Sequence, residues 1–204
     1  MLYDKIIPLF HKPLVFDKRV QVIAAHMASM LPDEGAILDV GCGDGQICKL
    51  ILDRNPGLAY QGLEVVERPS CEIPMKMYDG DTLPYEDKSF DFVTFVDVLH
   101  HTVSPQATIR EAARVARKGI VLKDHICETP MNRSILSFMD KVGNVSHGVS
   151  LPDNYLSRNQ WSEAFAAVRL KKDAYTEKLG LYPALVRPVF EHGLHFVGRY
   201  TFET

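Results

Sequence analysis

Apolar and polar positions along the first two thirds of the chain predict alternating strands and helices. Apolar runs predict strands at residues 36–40, 59–64, 89–99 and 119–124, and residues 75–79 are a further candidate for a short strand. Apolar residues three and four positions apart predict helices at residues 16–31, 46–55 and 105–117. Strands that are apolar on both faces and separated by helices are typical of a parallel sheet covered on each side. This part of the chain therefore predicts a doubly wound α/β fold.

The last third of the chain has a different pattern. Residues 131–145 and 158–167 have helical periodicity, and a capping box that begins at Ser157 precedes the second of these helices. Residues 168–179 and 194–202 alternate apolar and polar positions, as antiparallel strands do. We expect these two strands to close one edge of the sheet, with no linker that would separate a second domain.

Composition and charge limit the classes of function. A chain of 204 residues with 46% hydrophobic and 24% charged residues has the size and composition of one globular domain. A net charge of −3 gives no strong attraction for nucleic acid or an anionic membrane. No run of about 18 apolar residues occurs, so no membrane span is expected. The four cysteines have no zinc-site spacing, which predicts reduced thiols, no bound metal and a cytoplasmic location.

The run ILDVGCGDGQ at residues 37–46 places three glycines at alternate positions between a predicted buried strand and a helix. Glycines there permit positive φ and let a ligand lie against the backbone, while the helix N-terminus offers free N–H groups. The loop lacks the GxGxxG spacing of a dinucleotide site, because Gln46 stands where the third glycine would be, and no GK[ST] follows. Asp39, two residues before the first glycine, disfavours a pyrophosphate and suits a positively charged ligand.

The run D-V-G-C-G-D-G at residues 39–45 resembles motif I of the class I S-adenosylmethionine (SAM) dependent methyltransferases. The resemblance continues in order through Glu64, YDGDTLPYEDKSFDFVTFVDVLHH at 78–101 and REAARVARKGIVLKDH at 110–125. In all it spans about residues 30–126. It implies a Rossmann-like three-layer sandwich with a mostly parallel seven-stranded sheet and an antiparallel C-terminal edge strand. It also implies SAM as the cofactor.

The same resemblance implies a set of cofactor contacts. Glu64 would accept hydrogen bonds from both ribose hydroxyls, and Asp79 would accept one from the adenine amino group. Asp81 is an alternative to Asp79, which we prefer because it stands four residues before Leu83, as in the family. The implied cofactor-binding residues are Asp39, Gly41, Cys42, Gly43, Glu64, Val65, Asp79, Gly80, Asp97 and Leu99.

Polar residues follow the predicted fourth and fifth strands, where a methyl acceptor would lie. Methyl transfer needs an aligned acceptor and, for a hydroxyl, removal of its proton. The candidate catalytic residues are His100, His101 and His125, and the candidate substrate-binding residues are Asp124 and His147. In the family, histidines of an LHH run also serve packing or cofactor contact, so both alternatives stay open.

Two segments would cover the acceptor within a single domain over residues 1–204. These are an N-terminal cover segment and helix at 1–31 and a helical insert and lid at 127–167. Their aromatic and apolar residues favour a small, partly apolar acceptor, although packing on the sheet would also explain them.

The leading hypothesis is SAM-dependent methyl transfer to a hydroxyl group of a small molecule, with no nucleic-acid partner. One alternative is methyl transfer to RNA or protein, which the negative net charge and the absence of an N/D-P-P-Y/F run disfavour. The other alternative is a non-catalytic SAM-binding or scaffold subunit. The sequence predicts neither the acceptor's identity nor the oligomeric state.

Overall fold

A computed structural model describes residues 13–144 and 152–203. The strands in these ranges are β1 (Glu34–Val40), β2 (Gly57–Glu64), β3 (Met75–Met77), β4 (Phe90–Val96), β5 (Ala116–His125), β6 (Leu170–Thr176) and β7 (His195–Phe202). The helices are α1 (Pro13–Met30), α2 (Gln46–Leu52), α3 (Pro105–Val115), α4 (Pro130–Asn144), α5 (Arg158–Ala166) and α6 (Arg187–Phe190). A short 3₁₀ turn, Leu99–His101, follows β4.

The seven strands form one sheet in the order β3-β2-β1-β4-β5-β7-β6. Strands β1 to β5 pair in parallel, and β7 pairs antiparallel with both β5 and β6. The predicted seven-stranded, mostly parallel sheet is confirmed, as is the antiparallel direction of the C-terminal strand. The predicted edge position of that strand is wrong, because β7 lies inside the sheet and β6 is the edge strand.

Burial explains why these two strands take these places. In β7, Phe196 and Val197 are almost fully buried, as interior strands require. In β6, the three successive residues Lys171–Asp173 are exposed. Charged residues are tolerated at a sheet edge, where they also hinder pairing with another chain.

The element boundaries differ from the predicted ones at two informative places. Helix α1 begins at Pro13, because proline is favoured in the first turn of a helix, where no N–H donor is needed. Strand β4 ends at Val96, three residues earlier than predicted, because Asp97 has a left-handed backbone with φ 56°. The chain turns there into the 3₁₀ turn, which carries His100 to the carboxyl edge of the sheet.

Hydrophobic clusters cover both faces of the sheet, as a three-layer sandwich requires. One cluster joins β1 and β4 to α3 and α5 through residues such as Leu38, Phe95, Ile109 and Phe165. The other joins the opposite face to α1 and α2 through residues such as Met27, Ile37 and Ile51. Among the described residues, no helix is both long and apolar enough to cross a membrane. Residues 1–12 of the predicted cover segment, and His147, lie outside the described residues, so their roles stay predictions.

Candidate cofactor and acceptor site

The loop between β1 and α2 holds its three glycines in left-handed conformations. Gly41, Gly43 and Gly45 have φ of 74°, 57° and 75°, values that cost residues with a Cβ about 1–2 kcal/mol. A Cβ added at Gly41 would lie 2.6 Å from Cγ2 of Val98, so this glycine is needed for packing. A Cβ added at Gly43 would meet no described atom within 4 Å. Gly43 therefore borders open space, which a ligand lying on the backbone requires.

Glu64, at the end of β2, is bonded directly to this loop. Its carboxylate is buried, with Oε2 accepting a hydrogen bond of 2.9 Å from the N–H of Gly43. Its Oε1 accepts from the N–H groups of Val65 at 2.8 Å and Val66 at 3.2 Å. The structure thus places the predicted ribose-binding carboxylate beside the open face of Gly43. The same bonds make Glu64 a support of the loop, which the sequence does not predict.

We expect Glu64→Ala to weaken SAM binding by about 1.5–3 kcal/mol, the range for hydrogen bonds to a charged group. Loss of the acceptor for the Gly43 N–H acts in the same direction, because it loosens the loop. Calorimetric titration with SAM measures the change. The exposed Glu67, converted to alanine, is the matched control. An unchanged dissociation constant in Glu64→Ala would contradict the assigned place of Glu64.

Asp39 lies beneath the glycine loop and is 5% exposed. Its Oδ2 accepts a hydrogen bond from the Cys48 thiol at 3.1 Å, and its Oδ1 accepts one from the Thr94 hydroxyl. Burial raises the pKa of Asp39 to about 6, although both hydrogen bonds act to lower it. These bonds join β1 to α2 and β4 below the loop. The contact of Asp39 with the amino group of the cofactor stays a prediction.

The raised pKa of Asp39 predicts a pH dependence of stability. A carboxyl group whose pKa is higher in the folded state stabilises the fold below its unfolded pKa and loses that contribution as pH rises through the folded value. In Asp39→Asn this loss is absent. We therefore expect the difference in unfolding free energy, variant minus wild type, to increase by about 2–3 kcal/mol from pH 4 to pH 7. Urea unfolding over this range measures the difference, and a constant difference would contradict the assignment.

Val65, which follows β2, lies beside Asp79 and Gly80, which follow β3 and are the predicted adenine contacts. Val65 is 49% exposed, and a Cβ added at Gly80 would lie 3.4 Å from its Cγ1. Asp79 Oδ1 accepts hydrogen bonds from the N–H groups of Asp81 and Thr82, and these bonds hold the pKa of Asp79 below its usual range. The turn therefore orients the carboxylate of Asp79, and an exposed apolar side chain lies nearby for an aromatic ring.

Asp97, at the mouth of β4, links three elements. Its carboxylate is bonded to Lys123 of β5 and, at 3.0 Å, to Arg19 of α1. Burial acts to raise the pKa of Asp97, but the two cations outweigh burial and hold it below its usual range. The ion pair with Arg19 ties α1 to the strand ends. This role is not predicted by the sequence, and the predicted cofactor contacts of Asp97 and Leu99 stay predictions.

His100, Asp124 and His125 meet where β4 and β5 end. His100 Nδ1 donates to Asp124 Oδ1 at 2.6 Å. The carboxylate of Asp124 also accepts from the N–H groups of Leu99 at 3.1 Å and His125 at 2.7 Å. All three side chains are buried. The structure therefore brings together polar residues that the sequence places only at neighbouring strand ends.

The pKa values of the histidines in this cluster are shifted in different directions. Burial acts to lower the pKa of His100, but Asp124 and Asp140 raise it to about 10. Burial lowers the pKa of His101, and the neighbouring charge of His100 lowers it further. Burial, with Lys123 and His100 nearby, holds the pKa of His125 well below its usual range. The two carboxylates thus favour the protonated form of His100, whereas burial favours the neutral forms of His101 and His125.

Two residues of the cluster were missed by the sequence analysis. Asp140 of α4 lies 3.4 Å, Oδ2 to Nε2, from His100. The Tyr155 hydroxyl donates to the same oxygen of Asp140, and the Tyr155 ring stacks on His100 with centroids 5.3 Å apart. Both residues belong to the predicted lid. The available signal was an aspartate that follows Phe138 and Met139 in an otherwise apolar helical stripe.

Comparisons with known proteins define the class. The family described as a methyltransferase domain matches residues 38–122, which include the glycine loop, β2 and β4. A solved S-adenosylmethionine dependent methyltransferase from Mesorhizobium loti has the same fold, with a TM-score of 0.63 and 17% identity over 86% of this chain and 95% of that one. The chain therefore shares its fold with a solved SAM-dependent methyltransferase, and the glycine loop lies within the matched methyltransferase domain.

Curated relatives have different acceptors in their names. The 27-O-demethylrifamycin SV methyltransferase of Amycolatopsis mediterranei is 29% identical over 140 residues, which are 60% of this chain and 51% of that protein. The tRNA U34 carboxymethyltransferase of Marinobacter nauticus is 29% identical over 146 residues, 64% of this chain and 42% of that protein. This chain thus spans about half the length of these relatives. Its residues 38–122 match the methyltransferase-domain family, and the solved neighbour from Mesorhizobium loti is named as a SAM-dependent enzyme.

Proposed function

We propose that this chain transfers the methyl group of SAM to a hydroxyl group of a small, partly apolar molecule. The observation that carries the proposal is the cluster of histidines and carboxylates where β4 and β5 end. In a doubly wound sheet, ligands bind outside the carboxyl ends of the strands, where the glycine loop also lies. The cluster therefore belongs on the acceptor side of the cofactor site.

The residues of the chain divide into cofactor-holding and acceptor-facing groups. The open backbone at Gly43 and the carboxylate of Glu64 fit the ribose and methionine portions of SAM. When bound, SAM supplies a methyl group already activated by its sulfonium, so the protein needs to align the acceptor and exclude water. His101, whose pKa is lowered, and Asp140 offer a nitrogen and an oxygen that can accept the hydrogen of an acceptor hydroxyl, and His100 lies beside them.

Apolar side chains beside the cluster favour a partly apolar acceptor. Leu136 and Tyr155 pack with Leu194 in a small buried cluster next to His100. The Amycolatopsis relative is named for a methyl group placed on oxygen, which agrees with a hydroxyl acceptor here. Nitrogen and carbon acceptors would need no hydroxyl-binding group, so the polar cluster favours oxygen.

RNA is the second candidate acceptor, and the tRNA-modifying relative from Marinobacter favours it. The net charge of −3 disfavours it, because RNA binding depends largely on Lys and Arg contacts to phosphates. The third candidate is a SAM-binding subunit without turnover.

A labelling experiment separates the three candidates. The purified chain is incubated with methyl-labelled SAM and a cell extract, which is then divided into small-molecule, RNA and protein fractions. We expect the label in the small-molecule fraction, in a methyl ether that is stable to acid. We expect no label when Gly43→Val replaces the wild type. Label confined to RNA or protein would contradict the proposal. SAM binding without label in any fraction would favour the subunit without turnover.

A further inference from the structure

Two histidine nitrogens in the acceptor site are buried and make no hydrogen bond with any described residue. These atoms are Nε2 of His100 and Nδ1 of His101. A buried polar atom without a partner costs about 1–3 kcal/mol, so such atoms call for an explanation. The side chain of His100 is fully buried, and its Nε2 points toward Asp140, whose Oδ2 lies 3.4 Å away. Each of the three residues offers one ligand atom within 4.8 Å of the other two.

We propose that His100, His101 and Asp140 together bind one divalent transition-metal ion, for which Zn²⁺ is the best fit. Two histidines and one carboxylate, with a further position open, are a ligand set of catalytic zinc sites. Two ligands held tetrahedrally at about 2.1 Å from a metal lie about 3.4 Å apart. The His100 and Asp140 ligand atoms have this separation before any ion is added.

The surroundings of these ligands are those of a metal site. Asp124 Oδ1 binds Nδ1 of His100 at 2.6 Å, which leaves Nε2 as the coordinating atom, where the ion would take the place of the proton that Asp140 favours. A carboxylate behind a metal-binding histidine fixes the orientation of the ring and makes it a stronger ligand. The Tyr155 hydroxyl holds Asp140 from the other side. Asp124 and Tyr155 would therefore act as positioning residues rather than as ligands.

A second group, His100, Asp124 and His125, also has its ligand atoms close together. Its His100 Nδ1 and Asp124 Oδ1 are only 2.6 Å apart, whereas two ligands of one ion lie at least about 3.0 Å apart. These atoms also bond to each other, so they leave nothing unexplained. The geometry therefore favours the group that contains Asp140. Sequence spacing predicts no metal here because Asp140 is far from the histidine pair along the chain.

The ion would have a defined use if the acceptor is a hydroxyl, a use that rests on the proposed function. Zn²⁺ held by His100, His101 and Asp140 would bind the acceptor oxygen at its open position and would lower the pKa of the hydroxyl, whose proton would pass to solvent. The oxygen then forms the bond to the methyl carbon as the carbon–sulfur bond breaks. Binding of the ion itself does not depend on this use, so the two can be tested apart.

The test is a titration of the full chain, stripped of metals by a chelator, with Co²⁺ followed by visible absorption. Zn²⁺ is then added in competition. We expect one Co²⁺ per chain, displaced by Zn²⁺, and at least a 10-fold weaker binding in Asp140→Asn and in His101→Ala. The matched controls are Asp33→Asn and His192→Ala, which change exposed residues of the same types and should bind as the wild type does.

Each outcome has a clear meaning. Absence of stoichiometric Co²⁺ binding, or equal affinity in all four variants, would overturn the metal site. A parallel SAM titration of the stripped chain reports the cofactor site independently. SAM binding and methyl transfer that persist without any bound metal would overturn the use of the ion in methyl transfer and leave the proposed function standing. If Co²⁺ binding depends on Asp140 but the chain transfers no methyl group, the metal site would be supported and the proposed function would be contradicted.

Discussion

We expect the Gly43→Val variant to bind no SAM while the chain stays folded. At Gly43 the backbone has φ 57°, and an added Cβ would project into space that holds no described atom within 4 Å. Space of this kind beside a glycine loop is where the ligand lies on the backbone. The valine side chain would fill it. Calorimetric titration with SAM measures binding, and urea unfolding measures the stability of the variant.

Gly180→Val is the matched control for this variant. Gly180 also has a left-handed backbone, with φ 76°, and an added Cβ there would also meet nothing within 4 Å. Both variants therefore carry the same kind of backbone strain, about 1–2 kcal/mol, but only Gly43 belongs to the cofactor loop. Equal SAM affinity in the two variants would mean that the cofactor does not lie on this loop. Gly41 is a poorer choice, because a side chain there would collide with Val98.

The sequence predicts the fold well because its signals are local. The central strands β1 and β4 contain continuous apolar runs, and the glycine loop with its following helix is a contiguous motif. The place of β7 has no such signal, because alternating positions look the same in an edge strand and in one that pairs on both sides. Only the pairing of Phe196 and Val197 with β5 in space decides that β7 lies inside the sheet.

The acceptor side of the site is harder to predict for the same reason. His100 and His101 are recognisable because they directly follow a strand, and Asp124 and His125 because they end the next one. Asp140 belongs to a helix far along the chain and reaches His100 only in the folded protein. Its partner Tyr155 lies a further 15 residues along the chain. Neither residue has a fixed spacing to the histidines that a sequence pattern could detect.

We expect Asp124→Ala to lower the unfolding free energy by about 3–6 kcal/mol. Asp124 is 0% exposed and accepts three hydrogen bonds, from His100 Nδ1 and from the backbone N–H groups of Leu99 and His125. Alanine would leave all three donors buried without an acceptor. Each such donor costs about 1–3 kcal/mol, and the two strand ends would lose the side chain that joins them. Urea unfolding at neutral pH measures the loss.

Asp124→Asn separates the hydrogen bonds from the shape of the side chain. Asparagine has the same size, but its side-chain nitrogen is a donor and cannot accept the hydrogen bond that the carboxylate oxygen accepted at that position. We therefore expect a smaller loss than in Asp124→Ala, and no loss in Asp33→Ala, which removes an exposed aspartate. A stability of Asp124→Ala within about 1 kcal/mol of the wild type, below the cost of a single orphaned donor, would mean that water reaches these donors. The acceptor site would then be open to solvent behind His100, and water exclusion could not be part of its chemistry.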